Sequence, residues 1–242
     1  MRLCHDLEPV VRFLERNDPS ARTLLNLVTG RTGTRAKWVR ADDPSDPGLI
    51  IARHRWLYLF SRSRRAGIKA ADELPVRWQR RFAATPSWLL DAHQRRGLVG
   101  WQTRCHMYAL ADARRLRTRP RHRITPLVKS DIPLVVRHWP YGRRADYISE
   151  RIRGGLSAGI RHDGRLAAWA LTHADGSMGF LHVLDEFRGQ GMARSIGAWL
   201  ARRQLRQGVG AFVYIETRNR ASIALTESLG FERVGEYAWY GP

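Results

Sequence analysis

The 242-residue sequence has little of three things that define whole classes of protein: cysteine, long apolar runs and acidic side chains. Its two cysteines, Cys4 and Cys105, are far apart and form neither a metal-ligand nor a redox pair, so we expect no disulfide framework and a reducing compartment. Asp6, Glu8 and Pro9 interrupt the start of the chain, where a signal peptide needs an apolar stretch. No run approaches the roughly 20 apolar residues of a membrane helix. We therefore expect a cytoplasmic protein that does not bind a membrane.

Acidic side chains are outnumbered by basic ones, 22 to 42, which gives a formal net charge of +20. Such a charge is compatible with a polyanionic partner such as RNA, DNA or an anionic membrane face. However, 39 of the 42 basic residues are arginine, which genome-wide codon bias produces as readily as selection for a binding surface. We therefore place a solvated basic surface ahead of a nucleic-acid partner. The sequence does not indicate an oligomeric state.

A break in composition near the middle of the chain marks a predicted domain boundary. Six of the ten residues of segment 114–123 are arginine, and their mutual repulsion, together with Pro120, disfavours a packed element there. The sequence therefore predicts an N-terminal domain of residues 1–120 and a C-terminal domain of residues 121–242.

Residues 1–120 show ordinary secondary-structure patterns but no chemistry of their own. Apolar spacing predicts helices over residues 7–14 and 21–28, and strands over residues 49–52 and 56–60. Residues 30–37 are faintly similar to a phosphate loop, but they lack its Gly-Lys-Ser/Thr ending, so we assign them no function.

Residues 121–242 have sharper patterns. Two Asp-Gly turns, at Asp163 and Asp175, separate three apolar strands and indicate an antiparallel meander. Gly154 and Gly155 are predicted to end the preceding helix with a positive φ angle. The predicted elements are a helix over 146–153, strands over 156–161, 165–172 and 178–184, a helix over 191–207, a strand over 211–216, a helix over 221–229 and a strand over 233–240. This order predicts an α/β (α+β) fold in which helices flank a mixed, largely antiparallel sheet.

The turn between the strand ending at Leu184 and the next helix has the composition of an anion-binding site. Gly189 and Gly191 remove side chains that would keep an anion away from the backbone, and they permit the turn itself. The amides of the helix's first turn then point outward at the positive end of the helix dipole, which is a geometry that binds a pyrophosphate. Arg188 adds a cation with a planar fork of donors at the mouth of this loop.

Two motifs together carry a resemblance to a known superfamily. The first is Arg-Gly-Gln-Gly-Met-Ala from Arg188 to Ala193, and the second runs from Asn219 to Phe231 and ends in Leu-Gly-Phe. The pair resembles the GNAT superfamily of coenzyme A-dependent N-acyltransferases. The resemblance implies a GNAT-like sheet, acetyl-CoA or another acyl-CoA as co-substrate, and no metal. It also implies that the donor is held by Val183, Leu184, Arg188, Gly189, Gln190, Gly191, Met192, Ala193 and Asn219. For Asn219, capping the helix that follows is an equally natural role.

A narrower resemblance is to the glycine N-acyltransferase branch of that superfamily. It is carried by Trp139-Pro140-Tyr141-Gly142, by the segment 164–171 with its tryptophan, and by Gly176-Ser177-Met178. It spans the chain from residue 126 to the C-terminus. Members of this branch have an N-terminal half similar to a degenerate copy of the catalytic fold, and residues 1–120 have a suitable length for one.

The resemblance implies direct transfer in a ternary complex, without a covalent enzyme intermediate. The donor would lie in a V-shaped split between the strand ending at Leu184 and the strand over residues 211–216. The backbone amide near Val183 would polarise the thioester carbonyl. A base must also remove the ammonium proton, and a proton must reach the departing thiolate.

The residues available for proton transfer depart from the family pattern. Ser177 stands where this branch usually has a glutamate base, and a serine does not accept that proton at neutral pH, so another group or a water chain must do so. Glu216 is our first replacement, with pairing to a neighbouring arginine as its alternative role. His182 is the second, although strict strand alternation turns it away from residue 177 and favours a packing role unless a bulge turns it. Thr226 replaces the tyrosine that many members use to protonate the thiolate; orienting a water or packing the helix are its alternatives.

The acceptor is left open between small amines and larger carriers. A small-molecule amine or an amino acid is the first hypothesis. Candidate partners of a substrate carboxylate are Arg143, Arg144 and Arg151, and candidate walls of an acyl pocket are Trp139, Tyr141 and Trp169; each is also explained as ordinary surface or core. The alternatives are an amine carried by RNA, as in aminoacyl-tRNA, or by a protein, and a non-catalytic coenzyme A-binding module.

Overall fold

The computed structural model describes residues 2–3, 6–30, 38–41, 49–53, 56–74, 81–142 and 144–242, with the backbone alone for the first, third and fourth of these ranges. Cys4 and residues 31–37 of the phosphate-loop-like segment lie outside the described residues. Within them, no helix combines the length and the apolar character that crossing a bilayer requires.

The chain alternates helices with strands. The strands are β1 Arg2–Leu3, β2 Trp38–Ala41, β3 Leu49–Arg53, β4 Trp56–Phe60, β5 Phe82–Pro86, β6 Trp101–Leu110, β7 Ser157–His162, β8 Arg165–Thr172, β9 Met178–Val183, β10 Ala211–Glu216 and β11 Glu232–Gly241. The helices are α1 Glu8–Arg16, α2 Arg22–Thr29, α3 Arg64–Asp72, α4 Ser87–Gln94, α5 Ile132–Arg137, α6 Ala145–Gly154, α7 Met192–Arg206 and α8 Arg220–Ser228. Every helix and strand predicted above is confirmed, with ends that differ by a residue or two.

Two compact units share these elements. The first holds Met1–Met107, Ile215–Arg218 and Val234–Pro242, and the second holds Tyr108–Tyr214 and Asn219–Arg233. The units therefore do not divide the chain at one position. Strand β11 contributes most of its length to the first unit because it pairs antiparallel with β5 there, with Ala238 opposite Thr85. The division into domains of residues 1–120 and 121–242 remains a prediction.

Strand order in the first unit is β1-β2-β3-β4-β5-β11-β6. The pairs β2–β3 and β3–β4 are antiparallel, whereas β4 and β5 are parallel, with Leu57 opposite Phe82. The core of this unit packs α3 and α4 on these strands and contains Leu57, Leu59, Ala70, Ala71, Leu74, Phe82, Leu89, Leu90, Ala238 and Tyr240.

Strand order in the second unit is β6-β10-β9-β8-β7, with β7–β8 and β8–β9 antiparallel and β9–β10 parallel. Helices cover both faces of the meander. On one face α7 packs on Ala158, Ile160, Ala167, Ala168 and Ala170. On the other face α5 and α6 pack on Leu166, Trp169 and Leu171. The mixed α/β fold with helices on a largely antiparallel sheet, predicted from the sequence, is thus confirmed.

The two halves of the chain repeat one order of elements. Each has two helices, a three-strand antiparallel meander, a helix, a strand parallel to the last meander strand, a helix and a final strand. The first half runs from α1 to β6 and the second from α5 to β11. Such a repeat is what a degenerate copy of the second half would produce.

The end of α6 differs from its prediction. Gly155, the residue after the helix, is extended, with φ −117° and ψ 176°, so a positive φ angle is not the reason for this glycine. A Cβ placed on Gly155 would lie 2.5 Å from the guanidinium of Arg151 and 3.1 Å from the hydroxyl of Thr172. The glycine is therefore required by the close approach of a buried arginine.

A β-bulge interrupts β9. Trp169 on β8 lies opposite His182, and Leu171 lies opposite Gly179. These pairs are two residues apart on β8 and three residues apart on β9, so β9 has one extra residue. Phe180 takes the extra step with φ of 55°, which a bulky residue rarely adopts. The bulge brings His182 to the same face of the sheet as Gly179, on the side of α5 and α6. Strict alternation of β9 was thus wrong at this point.

Candidate functional site

The loop between β9 and α7 is held in the conformation that its glycines permit. Residues Asp185–Phe187 form one turn of 3-10 helix, and Gly189 and Gly191 follow with φ angles of 78° and 76°. A Cβ on either glycine would meet no atom within 4 Å. Since neither position is crowded by the protein, open space lies beside this stretch of backbone.

The amides of this loop lack acceptors. The first backbone hydrogen bond of α7 runs from Ser195 N–H to Gly191 C=O at 3.0 Å, and no side chain caps the helix. The N–H groups from Gly189 to Arg194 have no hydrogen-bond acceptor among the described residues. A row of unpaired donors at a helix N-terminus favours an anion.

The corresponding helix of the first half begins differently. In α3 the hydroxyl of Ser63 accepts the N–H of Ala66 at 3.3 Å, so the helix caps its own first turn with a serine side chain. That cap occupies a donor which α7 leaves open, because Gly191 has no side chain. The contrast indicates that the open first turn is a property of α7 and not of every helix in this position of the repeat.

The strand that leads into this loop has an amide directed away from its meander partner. Leu184 N–H donates to Ala167 C=O at 3.0 Å, so the neighbouring pair Val183–Ala168 is of the non-hydrogen-bonded kind. The N–H of Val183 therefore points away from β8, toward the β10 side. There β9 and β10 are in register at one position, Val213 with Met178, at the start of β9. The far end of β9 thus carries the Val183 amide beyond the position at which β9 pairs with β10.

Comparisons with known proteins bear on this arrangement. Residues 155–240 match the family model described as FR47-like protein. No curated protein matches the chain. A Drosophila protein solved by a structural genomics consortium is 16% identical, with a TM-score of 0.80 over 99% of this chain and 97% of that chain. A GCN5-related N-acetyltransferase from Kribbella flavida is 14% identical, with a TM-score of 0.58 over 96% and 95% of the two chains. A GNAT-family acetyltransferase from Colwellia psychrerythraea is 11% identical, with a TM-score of 0.57 over 99% and 98%.

The chain has the GNAT acetyltransferase fold. In this fold the amides of Gly189–Arg194, which have no acceptor among the described residues, and the Val183 amide at the end of β9 belong to one strand, loop and helix. The predicted donor-binding residues from Val183 to Ala193 are thus contiguous along that path. Asn219 is the exception, because its side-chain oxygen caps α8 by accepting the N–H of Ser222 at 3.0 Å.

Arg188 lies at the mouth of the loop in an exposed ion pair. Its guanidinium is 2.7 Å from the carboxylate of Asp185, and both side chains are largely in solvent. A pair this exposed is worth little stability. Arg188 is therefore able to exchange Asp185 for another anion at small cost.

Ser177, where the resemblance to the glycine N-acyltransferase branch predicts a base, is buried and already forms hydrogen bonds. Its hydroxyl donates to Asp175 Oδ1 at 2.7 Å, and its backbone N–H donates to the same oxygen at 2.9 Å. Asp175 is buried too. Ser177 thus acts on Asp175, and its hydroxyl holds the carboxylate in one orientation.

His182 packs between two rings on the α5–α6 side of the sheet. It stacks on Trp169 at 4.8 Å between ring centroids and lies 4.4 Å from the ring of His138. Its Nε2 is buried and has no hydrogen-bond partner among the described residues. Burial, and after it the charges of His138 and Arg188, hold the pKa of His182 below its ordinary value.

We expect this lowered pKa to make folding stability pH-dependent. Because the unfolded chain binds a proton more readily than folded His182, the stabilising contribution is complete above the unfolded pKa of about 6.5 and is lost as the pH falls toward the lowered value. Denaturant titrations above and below that pH should give a smaller unfolding free energy at the lower pH. In His182→Gln the difference between the unfolding free energies at the two pH values should be smaller. An unaltered difference would contradict the lowered pKa of His182 as its cause.

The other two predicted proton-transfer residues lie on separate elements. Glu216 is exposed at the end of β10, in the first unit, where its charge adds to burial in raising the pKa of the Cys105 thiol to about 12. Thr226 is buried in α8, in the second unit. Their catalytic roles remain predictions. In the described ranges, no group of three or more His, Cys, Asp or Glu side chains could hold a metal ion.

Two of the candidate pocket residues, Trp139 and Tyr141, belong to an aromatic cluster at the bulge, whose other members sequence reasoning missed. Phe180 stacks on Trp139 at 3.8 Å, with the rings of His173, Tyr147 and Tyr141 around this pair. Trp169 packs instead in the core beneath it. Of the three candidate arginines, Arg144 is exposed, with its guanidinium 5.8 Å from the centre of the Tyr147 ring. Arg151 is buried and donates to Thr172 C=O at 3.0 Å. Arg143 lies outside the described residues. His173 follows a strand and precedes Asp-Gly, which reads as a turn, so no sequence signal marked it.

Proposed function

We propose that this chain is an N-acyltransferase that transfers an acyl group, most simply acetyl, from acyl-CoA to a primary amine of a small molecule or an amino acid. The observation that carries the proposal is the row of N–H groups from Gly189 to Arg194, which have no acceptor among the described residues and lie in a loop with free space beside Gly189 and Gly191. The GNAT fold supports an acyltransferase, and the resemblance to the glycine N-acyltransferase branch motivates the small acceptor.

The residues present fit the diphosphate of coenzyme A. Six consecutive residues have backbone donors without an acceptor among the described residues, two glycines leave the space beside them clear, and Arg188 adds a cation at the mouth of the loop. Bound there, the donor would supply an acyl group activated as a thioester. The chain's own contributions are to hold the diphosphate on α7 and to direct the amide of Val183 toward the reacting carbonyl.

Binding and transfer are tested separately. Calorimetry with coenzyme A and acetyl-CoA on the pure protein reports the donor site without any acceptor. Mass spectrometry of an amine panel incubated with several acyl-CoA donors then reports donor and acceptor together. Absence of coenzyme A binding would end the proposal, whereas binding without transfer to any amine would favour a non-catalytic coenzyme A-binding module.

Replacement of Arg188 and of Asp185 should change donor affinity in opposite directions. Arg188→Ala removes a cation from the mouth of the loop, and we expect coenzyme A affinity to fall about tenfold, or about 1.4 kcal/mol. Asp185→Asn removes the carboxylate 2.7 Å from that guanidinium, so affinity should rise. Calorimetry measures both, with Arg165→Ala on the β7–β8 hairpin as a charge-matched control. Equal affinities in all three variants would remove Arg188 from the donor site.

The amine could instead be carried on RNA, an alternative motivated by the formal net charge of +20. Binding to phosphates releases counterions, so such a substrate would bind with an affinity that falls steeply with salt concentration. A fluorescence titration of labelled tRNA at two salt concentrations tests this, and the absence of binding at low salt would leave the small amine.

A further inference from the structure

We propose that His173 is the general base that accepts a proton from the acceptor's ammonium group. The inference rests on the proposed N-acyltransferase function. It identifies a base in place of Ser177. Ser177 is buried, and its hydroxyl donates a hydrogen bond to Asp175.

His173 is brought against the bulged strand by the turn that joins β8 to β9. Its N–H donates to Ser177 C=O at 2.8 Å, and Gly176 N–H donates to His173 C=O at 3.0 Å, so the turn is closed at both ends. A Cβ placed on Gly179 would lie 2.3 Å from His173 Nε2. Gly179 is therefore the residue that lets the imidazole lie on the strand, at the start of the bulged part of β9.

The Nε2 atom of His173, a half-buried residue, has no hydrogen-bond partner among the described residues, and it keeps some contact with solvent. The rings of Phe180, at 4.5 Å, and Trp139, at 6.1 Å, flank the imidazole. An amine that approaches β9 from the α5–α6 side would therefore pass this nitrogen.

The second ring nitrogen has a partner that can accept a hydrogen bond from the required tautomer. The Tyr147 oxygen lies 3.3 Å from His173 Nδ1 and also accepts the N–H of Ala174 at 3.4 Å. With its proton on Nδ1, donated to Tyr147, neutral His173 keeps its lone pair on Nε2. The proton step is then balanced: the ammonium loses one proton to Nε2, which leaves a neutral amine with its electron pair and an imidazolium.

Charges around His173 suit a base that is neutral at rest. Burial is the largest influence and lowers its pKa, Arg151 of α6 lowers it further, and the carboxylate of Asp175 raises it. Tyr147 is the other titratable group facing the ring from α6. Asp175, oriented by Ser177, is placed to stabilise the imidazolium that forms when the proton is taken. Ser177 thus serves as a positioning residue for Asp175.

The kinetic test compares His173→Gln with His162→Gln, an exposed histidine on the β7–β8 hairpin. We expect kcat to fall about 100-fold in His173→Gln, the scale of a lost general base, with coenzyme A affinity retained, while the control keeps wild-type kcat. Retained affinity shows that the variant is folded. A wild-type kcat in His173→Gln would overturn the inference and leave the acyltransferase proposal intact. A large loss of kcat in Glu216→Gln, with no loss in His173→Gln, would likewise overturn the assignment of His173 and leave the acyltransferase proposal intact.

The pH dependence of kcat/KM distinguishes a general base from a residue that only supports the structure. Protonation of His173 should give kcat/KM an acid limb whose midpoint lies below the ordinary histidine pKa of about 6.5, because burial lowers the pKa of this ring, and the limb should vanish in His173→Gln. Asp175→Asn removes the charge that raises the His173 pKa, so the limb should shift to lower pH. A limb that stays in place in both variants would contradict the assignment.

Nitrogen NMR of the wild-type protein tests the tautomer without turnover. The inference requires the neutral ring to carry its proton on Nδ1, and a signal from an Nε2-protonated neutral His173 would overturn it. If the wild-type protein binds coenzyme A but transfers no acyl group to any amine, the proposed function fails, and the assignment of His173 fails with it.

Discussion

Replacing Gly189 and Gly191 together by alanine should weaken coenzyme A binding about 100-fold, equal to about 2.7 kcal/mol. The two added methyl groups would stand in space that the protein leaves empty, since neither Cβ would meet an atom within 4 Å. The fold is therefore not crowded by the substitutions, whereas an anion seated on the adjacent amides is kept from the backbone. Calorimetry with coenzyme A measures the loss directly.

The chain offers a matched control for the backbone strain in that variant. Gly164 and Gly208 have φ angles of 76° and 68°, and a Cβ on either would also meet no atom within 4 Å. Alanine at a positive φ costs roughly 1–2 kcal/mol at each position, so the two double variants should lose similar stability. Gly164→Ala/Gly208→Ala should nonetheless bind coenzyme A like the wild-type protein. Equal binding by both double variants would show that the α7 N-terminus is not the donor site.

The same loop shows why a donor site could be proposed from the sequence. An apolar strand, two glycines and an amphipathic helix form a local pattern, because all the groups proposed to hold the anion belong to consecutive residues. The motif thus fixes Gly189 and Gly191 without any long-range information. The local pattern does not show how α3 differs from α7. In the structure the Ser63 side chain caps the first turn of α3, whereas no side chain caps the first turn of α7 after Gly191.

The acceptor side depends on long-range geometry and was not predictable in this way. The bulge at Phe180 arises from the pairing of β9 with β8, and a period of two along one strand gives no sign of it. His182 was consequently placed on the wrong face. His173 is separated from Tyr147 by 26 positions in sequence, so their contact appears only when α6 is packed on the sheet.

The exchange of strands between the two compact units has the same origin. The pairing of β11 with β5 joins residues about 150 positions apart, and composition alone indicated only the arginine-rich stretch near residue 120. The repeated order of elements also had no counterpart in the sequence, because a topology survives changes that erase residue identity.

Truncation of Trp169 should give the largest loss of stability of any single substitution considered. Its side chain is 1% exposed and packs with Leu127, Val135 and Ile148 beneath α5 and α6. Trp169→Ala should lower the unfolding free energy by about 3–5 kcal/mol, because it removes the buried ring and leaves a cavity. Guanidinium titration followed by circular dichroism measures the loss.

Trp199→Ala is the matched control, because that ring is half-buried on α7 with the guanidinium of Arg203 5.2 Å from its centre. It should cost about 1–2 kcal/mol, in proportion to the smaller area that it removes from water. The two variants also separate stability from function. Trp169 supports the ring of His182 on β9, so its loss should disturb the strand that carries the Val183 amide, whereas Trp199→Ala should leave kcat unchanged. Equal stability losses in the two variants would mean that the α5–α6 face of the sheet is not the tightly packed core described above. Trp169 would then not be the residue that supports β9.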